Sequence, residues 1–289
     1  MEVRVLTEET LSYFENYVPE DIAENIGRLY YRGYLTVEGP EETGGIVWKE
    51  TPASAPSGPA CHIVWFRAQE EEAGGLLLSV CRDSIRHNSV KKIKVSLPAK
   101  TSHREKELLE AAGFEMALME ADEAVAPISD FLEIGFMKKN RTFDTIRPLR
   151  SATHSEYVQA IKRMTRHGYF GRCEDLNYLP KAFFENNVSC FCEENGGING
   201  LLLCHKKPSG RMEIELLAAV GADYQKLILG MINQALKSAA ALYPPETEII
   251  IDRHNLATLA LGEKLVPGRL GMPIYLGERT EAGRNTEEE

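Results

Sequence analysis

The chain has 289 residues, 43% of them hydrophobic, and a formal net charge of -10, which allows two ordinary domains with separate cores. The acidic balance argues against general binding to nucleic-acid phosphates, and no apolar run approaches the roughly 18 to 20 residues of a membrane span. The N-terminal sequence lacks the basic and apolar regions of a signal peptide, so we expect a cytoplasmic protein that binds neither nucleic acid nor membrane.

The first half of the chain predicts strands and helices in a regular order. VRVLTEETLSYF, from Val3, predicts a strand that leads into a helix, and TVEGPEETGGIVWKE predicts two strands around a glycine turn. The strand CHIVWFRA follows, after a proline-rich hairpin loop that starts at Thr51. GGLLLSVCRDSIRH predicts a helix, because its apolar residues recur at spacings of three and four residues. The strand KKIKVSL and the helix HREKELLEAAGF complete the order.

The second half repeats this order at a nearly constant offset. IRPLRSATHSEY, from Ile146, matches the first strand and helix of the first half. CFCEENGGINGLLLC matches the two strands around the glycine turn, and Gly200 aligns with Gly45. The strands MEIELLAAV and TEIIID and the helices QKLILGMINQALKSAAALY and NLATLALGEKLVPG follow. This internal repeat predicts two domains, 1–142 and 143–289, each a twisted, mixed and mainly antiparallel sheet flanked by helices, in the α/β (α+β) class.

The cysteines and histidines indicate neither a disulfide framework nor a metal site. The six cysteines contain no CxxC pair, and no histidine falls in an HExxH spacing. Cys190 and Cys192 alternate on one predicted strand face, as a nucleophile or ligand pair would, although small buried side chains of a reduced protein are the favoured interpretation.

The order of the elements and the amino-acid sequence of the second half resemble those of the GNAT acetyltransferase superfamily. In that family a strand ends in V-x-P-x-x-(Q/R)-x-x-G-x-(G/A), and backbone N–H groups at a helix N-terminus hold the pyrophosphate of acetyl-CoA. VGADYQKLILG follows this pattern, except that Ile228 replaces the first glycine. The resemblance implies two GNAT-like domains and, in the second, a cofactor site that comprises Val220, Gln225, Lys226, Leu227, Leu229, Gly230 and, from the last helix, Asn255.

The first half departs further from the pattern. FRAQEEEAGGL has Glu71 on the position of Gln225 and Leu76 on that of Gly230. Three consecutive carboxylates would repel a diphosphate, whereas they suit the first turn of a helix. We therefore expect a degenerate first domain without a cofactor.

The last helix carries a second motif, roughly N-x-x-A-x-x-L-Y-E-K-L-G-F, whose tyrosine hydroxyl assists the departing thiol in the family. Here Gly262 replaces that tyrosine. The glycine indicates room for a ligand, close backbone packing, or a helix that ends early at Pro267. Water or the hydroxyl of Tyr275 is the predicted substitute for the missing group.

Acetyl transfer to an amine needs a base, and the strand RMEIELL offers two candidates. Side chains alternate between the two faces of a strand, so we expect Glu213 and Glu215 on one face and Ile214 and Leu216 on the other. Glu215 is the preferred base because it lies deeper in the strand. The alternative treats both as solvated residues paired with nearby cations, namely Lys206, Lys207 or Arg211.

The acceptor site is predicted from RHGYFGR, in which Tyr169, Phe170 and Arg172 form an aromatic mouth or pack against the first domain.

Three functions remain open. The first is an acetyl-CoA-dependent N-acetyltransferase with an active second domain, acting on a small-molecule or peptide amine and using no metal. The second is an inactive protein that binds CoA or a metabolite, or mediates assembly. The third is a tandem acyltransferase with an aminoacyl donor. Whether the protein forms a homodimer is also left open.

Overall fold

The computed structural model describes residues 1–55, 58–121, 123–135, 137–138, 144–170, 173, 175–194, 196–221, 224–252 and 256–281. Within these ranges, no helix combines the length and the apolar character needed to cross a membrane. The C-terminal residues TEAGRNTEEE fall largely outside the described residues.

The described residues form thirteen strands and eight α-helices. The strands are β1 (Glu2–Val5), β2 (Tyr31–Glu38), β3 (Glu41–Thr51), β4 (Ala60–Ala68), β5 (Lys92–Pro98), β6 (Glu115–Met119), β7 (Glu123–Pro127), β8 (Ile146–Pro148), β9 (Cys190–Glu194), β10 (Gly197–Lys206), β11 (Met212–Ala219), β12 (Glu248–Asp252) and β13 (Ile274–Thr280). The helices are α1 (Glu8–Leu11), α2 (Glu20–Ala23), α3 (Glu71–Ile85), α4 (His103–Ala111), α5 (Ile128–Leu132), α6 (His154–Arg166), α7 (Tyr224–Leu242) and α8 (Leu256–Leu265).

The first compact unit comprises residues 1–121 together with 272–289. Its seven strands form one sheet in the order β1-β2-β3-β4-β5-β13-β6, in which only the β4 and β5 pair is parallel. Helices α3 and α4 contribute Leu77 and Leu109 to a core with Trp48, and a separate cluster contains Leu6 and Val47. Because each face is covered, most of the interior strand β3 is buried.

The second compact unit comprises residues 122–271. Its six strands form a sheet in the order β7-β12-β11-β10-β9-β8, and again only one pair, β11 and β12, is parallel. Helices α5 and α7 cover one core through Phe131 and Met231, and α6 covers the other through Tyr157 and Ile161. Two sheets with helices on their faces confirm the predicted α/β (α+β) class.

Helix α6 shows how local sequence sets an element of the fold. Thr153 precedes the helix and its hydroxyl accepts a hydrogen bond from the Glu156 backbone N–H at 3.2 Å. The Glu156 carboxylate accepts in return from the Thr153 backbone N–H at 2.7 Å, and this bond lowers the pKa of Glu156. This reciprocal pairing satisfies backbone donors that the first helical turn leaves free, so the helix begins at His154.

Each sheet has a glycine at the equivalent place, where a long helix packs closely against the strand. A Cβ at Gly44 would lie 3.0 Å from the Leu77 side chain of α3, and one at Gly200 would lie 3.0 Å from the Met231 side chain of α7. The strand register therefore makes Gly200 equivalent to Gly44, one residue before the Gly45 that the sequence match selected. Close helix packing explains why both halves keep a residue without a side chain there.

The closing strands divide the chain differently from the sequence repeat. β7, encoded in the first half, pairs with β12 in the second sheet, and β13, at the end of the second half, lies between β5 and β6 in the first. The predicted boundary at 142/143, near Asn140 to Thr142, is outside the described residues. The compact units instead change near residues 121 and 271, because backbone pairing and not chain order decides which sheet a strand joins.

Candidate functional site

Both sheets contain the same irregularity where their parallel strands separate. Val64 in β4 and Glu215 in β11 are extra residues that the pairing with the preceding strand skips. Among the described residues, β4 pairs with β5 only at 61–63, and β11 pairs with β12 only at 212–213. Each sheet therefore opens towards the carboxyl ends of these strands, beside a bulge of the kind that is frequent next to active sites.

The bulge in the second unit holds a buried carboxylate. Glu215 is 6% exposed, and its Oε2 atom accepts a hydrogen bond from the Cys173 thiol at 3.1 Å. Glu213 is 2% exposed, and its Oε2 atom lies 3.0 Å from the Lys207 ammonium group. The pairing with Lys207 agrees with the ion-pair alternative drawn from the sequence, but the expectation that both glutamates are solvated is wrong.

The bulge also changes which side chains share a face. Before it, Ile214 packs with the core under α7, and after it Leu217 packs there, while Leu216 joins the core under α6. Glu215 contacts Cys173 of that α6 core, so it lies on the same side as Leu216 and not opposite to it. Period-two alternation fails here because one extra residue shifts the phase of the strand.

The turn between β11 and α7 is the predicted cofactor turn. The Val220 backbone N–H donates to the Asn199 carbonyl at 2.8 Å, and Gly221 has φ +111°, a conformation that favours glycine. Gln225 and Lys226 are exposed in the first turn of α7, where backbone N–H groups have no partner within the helix. The first turn of this helix therefore presents donors and a positive dipole end to solvent.

Other predicted cofactor residues lie deeper in α7. Leu227 and Gly230 are buried, and Leu229 is half-buried. Gly230 is the seventh residue of the helix, and its role in binding a phosphate stays a prediction. Ile228 packs against the core as a helical residue, and no positive φ is found there. Asn255 lies outside the described residues.

Sequence reasoning missed a polar group beside this turn. The side-chain oxygen Oδ1 of Asn199 is buried and has no hydrogen-bond partner within the described part of the chain. Its backbone carbonyl holds Val220, which places the residue next to the turn. The sequence does not indicate a role for Asn199, because Val220, the residue that it contacts, is distant in the chain.

The first unit lacks the equivalents of these features. Val64 occupies the bulge position that Glu215 holds in the second unit. Two residues, Gln69 and Glu70, connect β4 to α3, whereas four residues, 220–223, connect β11 to α7. Glu71 and Glu72 are exposed in the first turn of α3. The first unit therefore offers an apolar bulge and an acidic helix start.

Gly262 is explained by packing. The residue is buried in α8, and a Cβ there would lie 3.2 Å from the Cβ of Ala124, which is itself buried in β7. Contacts this short require a neighbour to move, so the glycine allows α8 to approach β7. The helix also ends at Leu265, two residues before Pro267. The hydroxyl of Tyr275 is 2.7 Å from His103 Nδ1, and its predicted use in place of the missing tyrosine stays a prediction.

We expect Gly262→Tyr to lower the free energy of unfolding by about 3 kcal/mol, since the ring must displace Ala124 and its strand. Urea unfolding followed by circular dichroism measures the effect. Gly75→Tyr is the matched control, because Gly75 is exposed in α3 and nothing lies within 4 Å of its Cβ. That change should leave stability unchanged or raise it by up to about 0.5 kcal/mol. Equal stability of the two variants would contradict the packing explanation.

The predicted acceptor residues follow α6. Tyr169 is 38% exposed, its backbone N–H donates to the Met164 carbonyl at 3.0 Å, and Phe170 is half-buried. Arg172 lies outside the described residues. The role of Tyr169 and Phe170 in an acceptor site stays a prediction.

The cysteines are buried free thiols, as the favoured interpretation of Cys190 and Cys192 predicted. Burial raises the pKa of both thiols, which disfavours a reactive thiolate at either position. Within the part of the chain that the structure describes, no three His, Cys, Asp or Glu side chains come together as a metal site requires.

No protein-family profile matches the chain, and no curated protein is significantly similar. Among solved structures, the chain is similar to a tandem GNAT protein from the clavulanic acid biosynthesis pathway, with a TM-score of 0.61 and 10% identity. The match covers 96% of this chain and 98% of that chain. The chain has the tandem GNAT fold. The resemblance inferred from the sequence is therefore confirmed at the level of fold.

Two further solved structures match this chain with lower TM-scores. A probable N-acyltransferase from Enterococcus faecalis is 13% identical, with a TM-score of 0.48, and the match covers 96% of this chain and 72% of that one. A GCN5-related N-acetyltransferase from Kribbella flavida is 11% identical, with a TM-score of 0.47, and the match covers 96% and 71%. The reaction is therefore argued from the site and not from these two matches.

Proposed function

We propose that the protein is an acetyl-CoA-dependent N-acetyltransferase whose second unit binds the cofactor and carries out the transfer. The observation that carries the proposal is the buried Glu215 carboxylate at a strand bulge, on the same strand that leads into the exposed N-terminus of α7. The first unit has the same bulge and the same open strand pair, but it has Val64 and an acidic helix start. This difference favours the second unit as the active one.

Three features of the second unit support the proposal that it binds a CoA ester. The first turn of α7 offers backbone donors and the exposed Lys226 to a diphosphate. Beyond residue 213, β11 does not pair with β12 among the described residues, so its edge is available to the two amide groups of a pantetheine arm. Asn199 adds a buried side-chain oxygen beside the turn, for which the described residues provide no hydrogen-bond partner.

The spacing of these features also supports the proposal. Glu215 and Ala219 are about 13 Å apart along an extended strand, and the turn to α7 follows Ala219. A CoA ester needs its anion site and its reacting carbonyl to be well separated, because the pantetheine arm lies between them. The strand therefore connects the two places where binding and proton transfer would occur.

In the proposed reaction, acetyl-CoA supplies the activated thioester. Glu215 accepts a proton from the ammonium group of the acceptor, so that a neutral amine can attack. The Cys173 thiol donates a hydrogen bond to the carboxylate and holds it in one orientation. Glu213 is paired with Lys207, which leaves it less suited to the same task. Since Gly262 supplies no hydroxyl, the departing thiolate of CoA leaves without a donated proton, as its pKa of about 8.5 allows.

The acceptor is proposed to be a small-molecule or peptide amine, bound near Tyr169, Phe170 and Arg172. Aromatic and cationic side chains after α6 suit an amine that also carries an apolar or acidic part. The structure describes only the first two of these residues.

The experiment is a thermal-shift and calorimetric titration of the full chain with acetyl-CoA and CoA, followed by turnover with a panel of amines. We expect both ligands to raise the unfolding temperature and acetyl-CoA to be consumed only when an amine is present. Binding without transfer to any amine would favour the alternative, a CoA-binding protein without catalysis, which the absence of a hydroxyl at Gly262 supports. No binding of either ligand would contradict both functions.

A further inference from the structure

Strand β6 forms an open edge of the first sheet. It is the last strand in the sheet order, and among the described strands it pairs only with β13. Leu118 is 67% exposed and Met119 is 42% exposed, and Ala117 is exposed beside them. After Glu115 the strand contains no charged residue and no proline. An exposed apolar edge of this kind can accept another strand.

The other three sheet edges carry features that oppose further pairing. β1 presents a charged pair, Arg4 and Glu2, whose side chains are 3.1 Å apart. β8 has three residues and ends in a proline. β7 also ends in a proline, and the carbonyl of its first residue, Glu123, accepts a hydrogen bond from the Gly271 backbone N–H at 3.0 Å. Within the described sheets, β6 is therefore the edge that such features leave unprotected.

The register of β13 shows which backbone groups of β6 face the open side. The Ala99 N–H donates to the Pro273 carbonyl at 2.9 Å, so the odd-numbered residues of β13 direct their backbone groups to β5. Its even-numbered residues therefore bond to β6, where they oppose odd-numbered residues. The N–H and C=O groups of Met116 and Leu118 consequently point away from β13, towards the open edge.

We propose that β6 pairs with β6 of a second copy of this chain, antiparallel, about a two-fold axis that passes between the two Ala117 residues. In this register Met116 opposes Leu118 of the second copy, and each of the two symmetric pairs exchanges two backbone hydrogen bonds. All five residues of β6 are then paired, and the first sheets of the two copies become one continuous sheet. The proposal does not depend on the proposed function.

The side chains of β6 fit a second copy of the same strand. Ala117 meets its own counterpart on the axis, where opposed Cα atoms are only about 4.5 Å apart and a small side chain is favourable. Leu118 packs against Met116 of the second copy, which covers the most exposed apolar side chain of the strand. Glu115 faces the neutral Met119, and the two Glu115 side chains are about 14 Å apart along the ribbon, beyond the Debye length at physiological salt.

The size of this contact sets its strength. One short strand from each copy gives an interface in the small class, below about 1,200 Å², which is typical of transient complexes. We therefore expect a dimer with a dissociation constant of about 10 to 100 µM. Because the two-fold axis uses both open edges, assembly stops at two copies.

The test measures the mass of the full chain by sedimentation velocity from about 1 µM to about 500 µM, a range that spans the expected dissociation constant. We expect the average mass to rise from that of one chain to that of two and then to stay constant. Hydrogen exchange at the same concentrations reports the contact, since the backbone N–H groups of Met116 and Leu118 should become protected as the dimer forms.

Two neighbouring lysine substitutions should have opposite effects. Leu118→Lys places an ammonium group beside Met116 of the second copy and should raise the dissociation constant by about 10-fold or more. Met119→Lys places one opposite Glu115 of the second copy, in two symmetric pairs, and should lower the constant by about 2- to 30-fold. Within one chain these two residues are about 14 Å apart along the strand, so the gain requires the second copy. Val5→Lys is the control, because Val5 is 52% exposed on the opposite edge of the sheet, and it should change nothing.

Three results would overturn the proposal. The first is a chain that stays monomeric over the whole concentration range. The second is growth beyond two copies. The third is a dimer that Leu118→Lys leaves unchanged or that Met119→Lys weakens, since either effect would place the contact elsewhere. A tighter dimer in Met119→Lys cannot arise from a misfolded variant, so this arm keeps the test independent of any loss of stability.

Discussion

Glu215→Gln is expected to lower kcat/KM for acetyl transfer by about 10²- to 10⁴-fold, the range that removal of a general base produces. Glutamine keeps the shape of the side chain and can still accept a hydrogen bond from Cys173, so the bulge should persist. It cannot accept a proton from the acceptor ammonium group. Steady-state kinetics with acetyl-CoA and the best amine of the panel measure the loss.

Glu50→Gln is the matched control for this change. Glu50 is also 6% exposed, but it lies in the first unit, where its carboxylate accepts hydrogen bonds from Trp48 Nε1 at 2.9 Å and Ser84 Oγ at 2.7 Å. Its replacement should lower stability and leave turnover per folded molecule unchanged. Glu213→Gln should also have a small effect on turnover. If Glu213→Gln causes the larger loss, the roles assigned to the two glutamates are reversed.

Lys226→Glu is expected to weaken CoA binding by about 10- to 100-fold. The change replaces a cation with an anion in the first turn of α7, and each charge next to a diphosphate contributes roughly 1 kcal/mol when solvated. A carboxylate in a first helical turn also favours the helix dipole, so the fold should not suffer. Isothermal titration calorimetry at two salt concentrations measures the affinity, and the difference between variant and wild type should shrink at high salt.

Lys237→Glu makes the same charge change about 16 Å further along the same helix. This distance exceeds the Debye length of about 8 Å at physiological salt, so CoA affinity should be nearly unchanged. Equal losses in the two variants would show that net charge, and not the turn, controls binding. A gain of CoA affinity in a Glu71→Lys variant of the first unit, together with no loss in Lys226→Glu, would move the cofactor site there. Gly230→Glu is not informative, because it buries a charge inside α7.

The secondary structure and its repetition could be predicted because both rest on local patterns. Apolar residues at spacings of three and four predict α3 and α7, and turn residues predict the hairpins. The order of elements in each half can therefore be predicted from residues that are close together in the sequence. The exchange of β7 and β13 could not be predicted, since alternation tells which side chains are buried but not which strand lies alongside.

The candidate site was predicted in part for the same reason. Glu213 and Glu215 were identified as candidates from one strand, but their burial, the bulge and the contact with Cys173 depend on residues far away in the chain. Gly230 matched a motif, whereas its place inside α7 depends on where the helix begins. Asn199 carried no motif at all, because its importance arises only from its position beside Val220.

The sequence by itself determined that the chain is a duplicated α/β protein, that the second half matches more of the GNAT turn pattern, and that the first half has an acidic helix start at the equivalent place. Only the tertiary structure decided that the closing strands pair outside their own halves, that Val64 and Glu215 occupy equivalent bulges, and that Gly262 is a packing residue against Ala124. The physical reason is that propensity, periodicity and charge act between near neighbours. Strand partners, bulges and close helix contacts are settled by the free energy of packing surfaces that the chain brings together from afar.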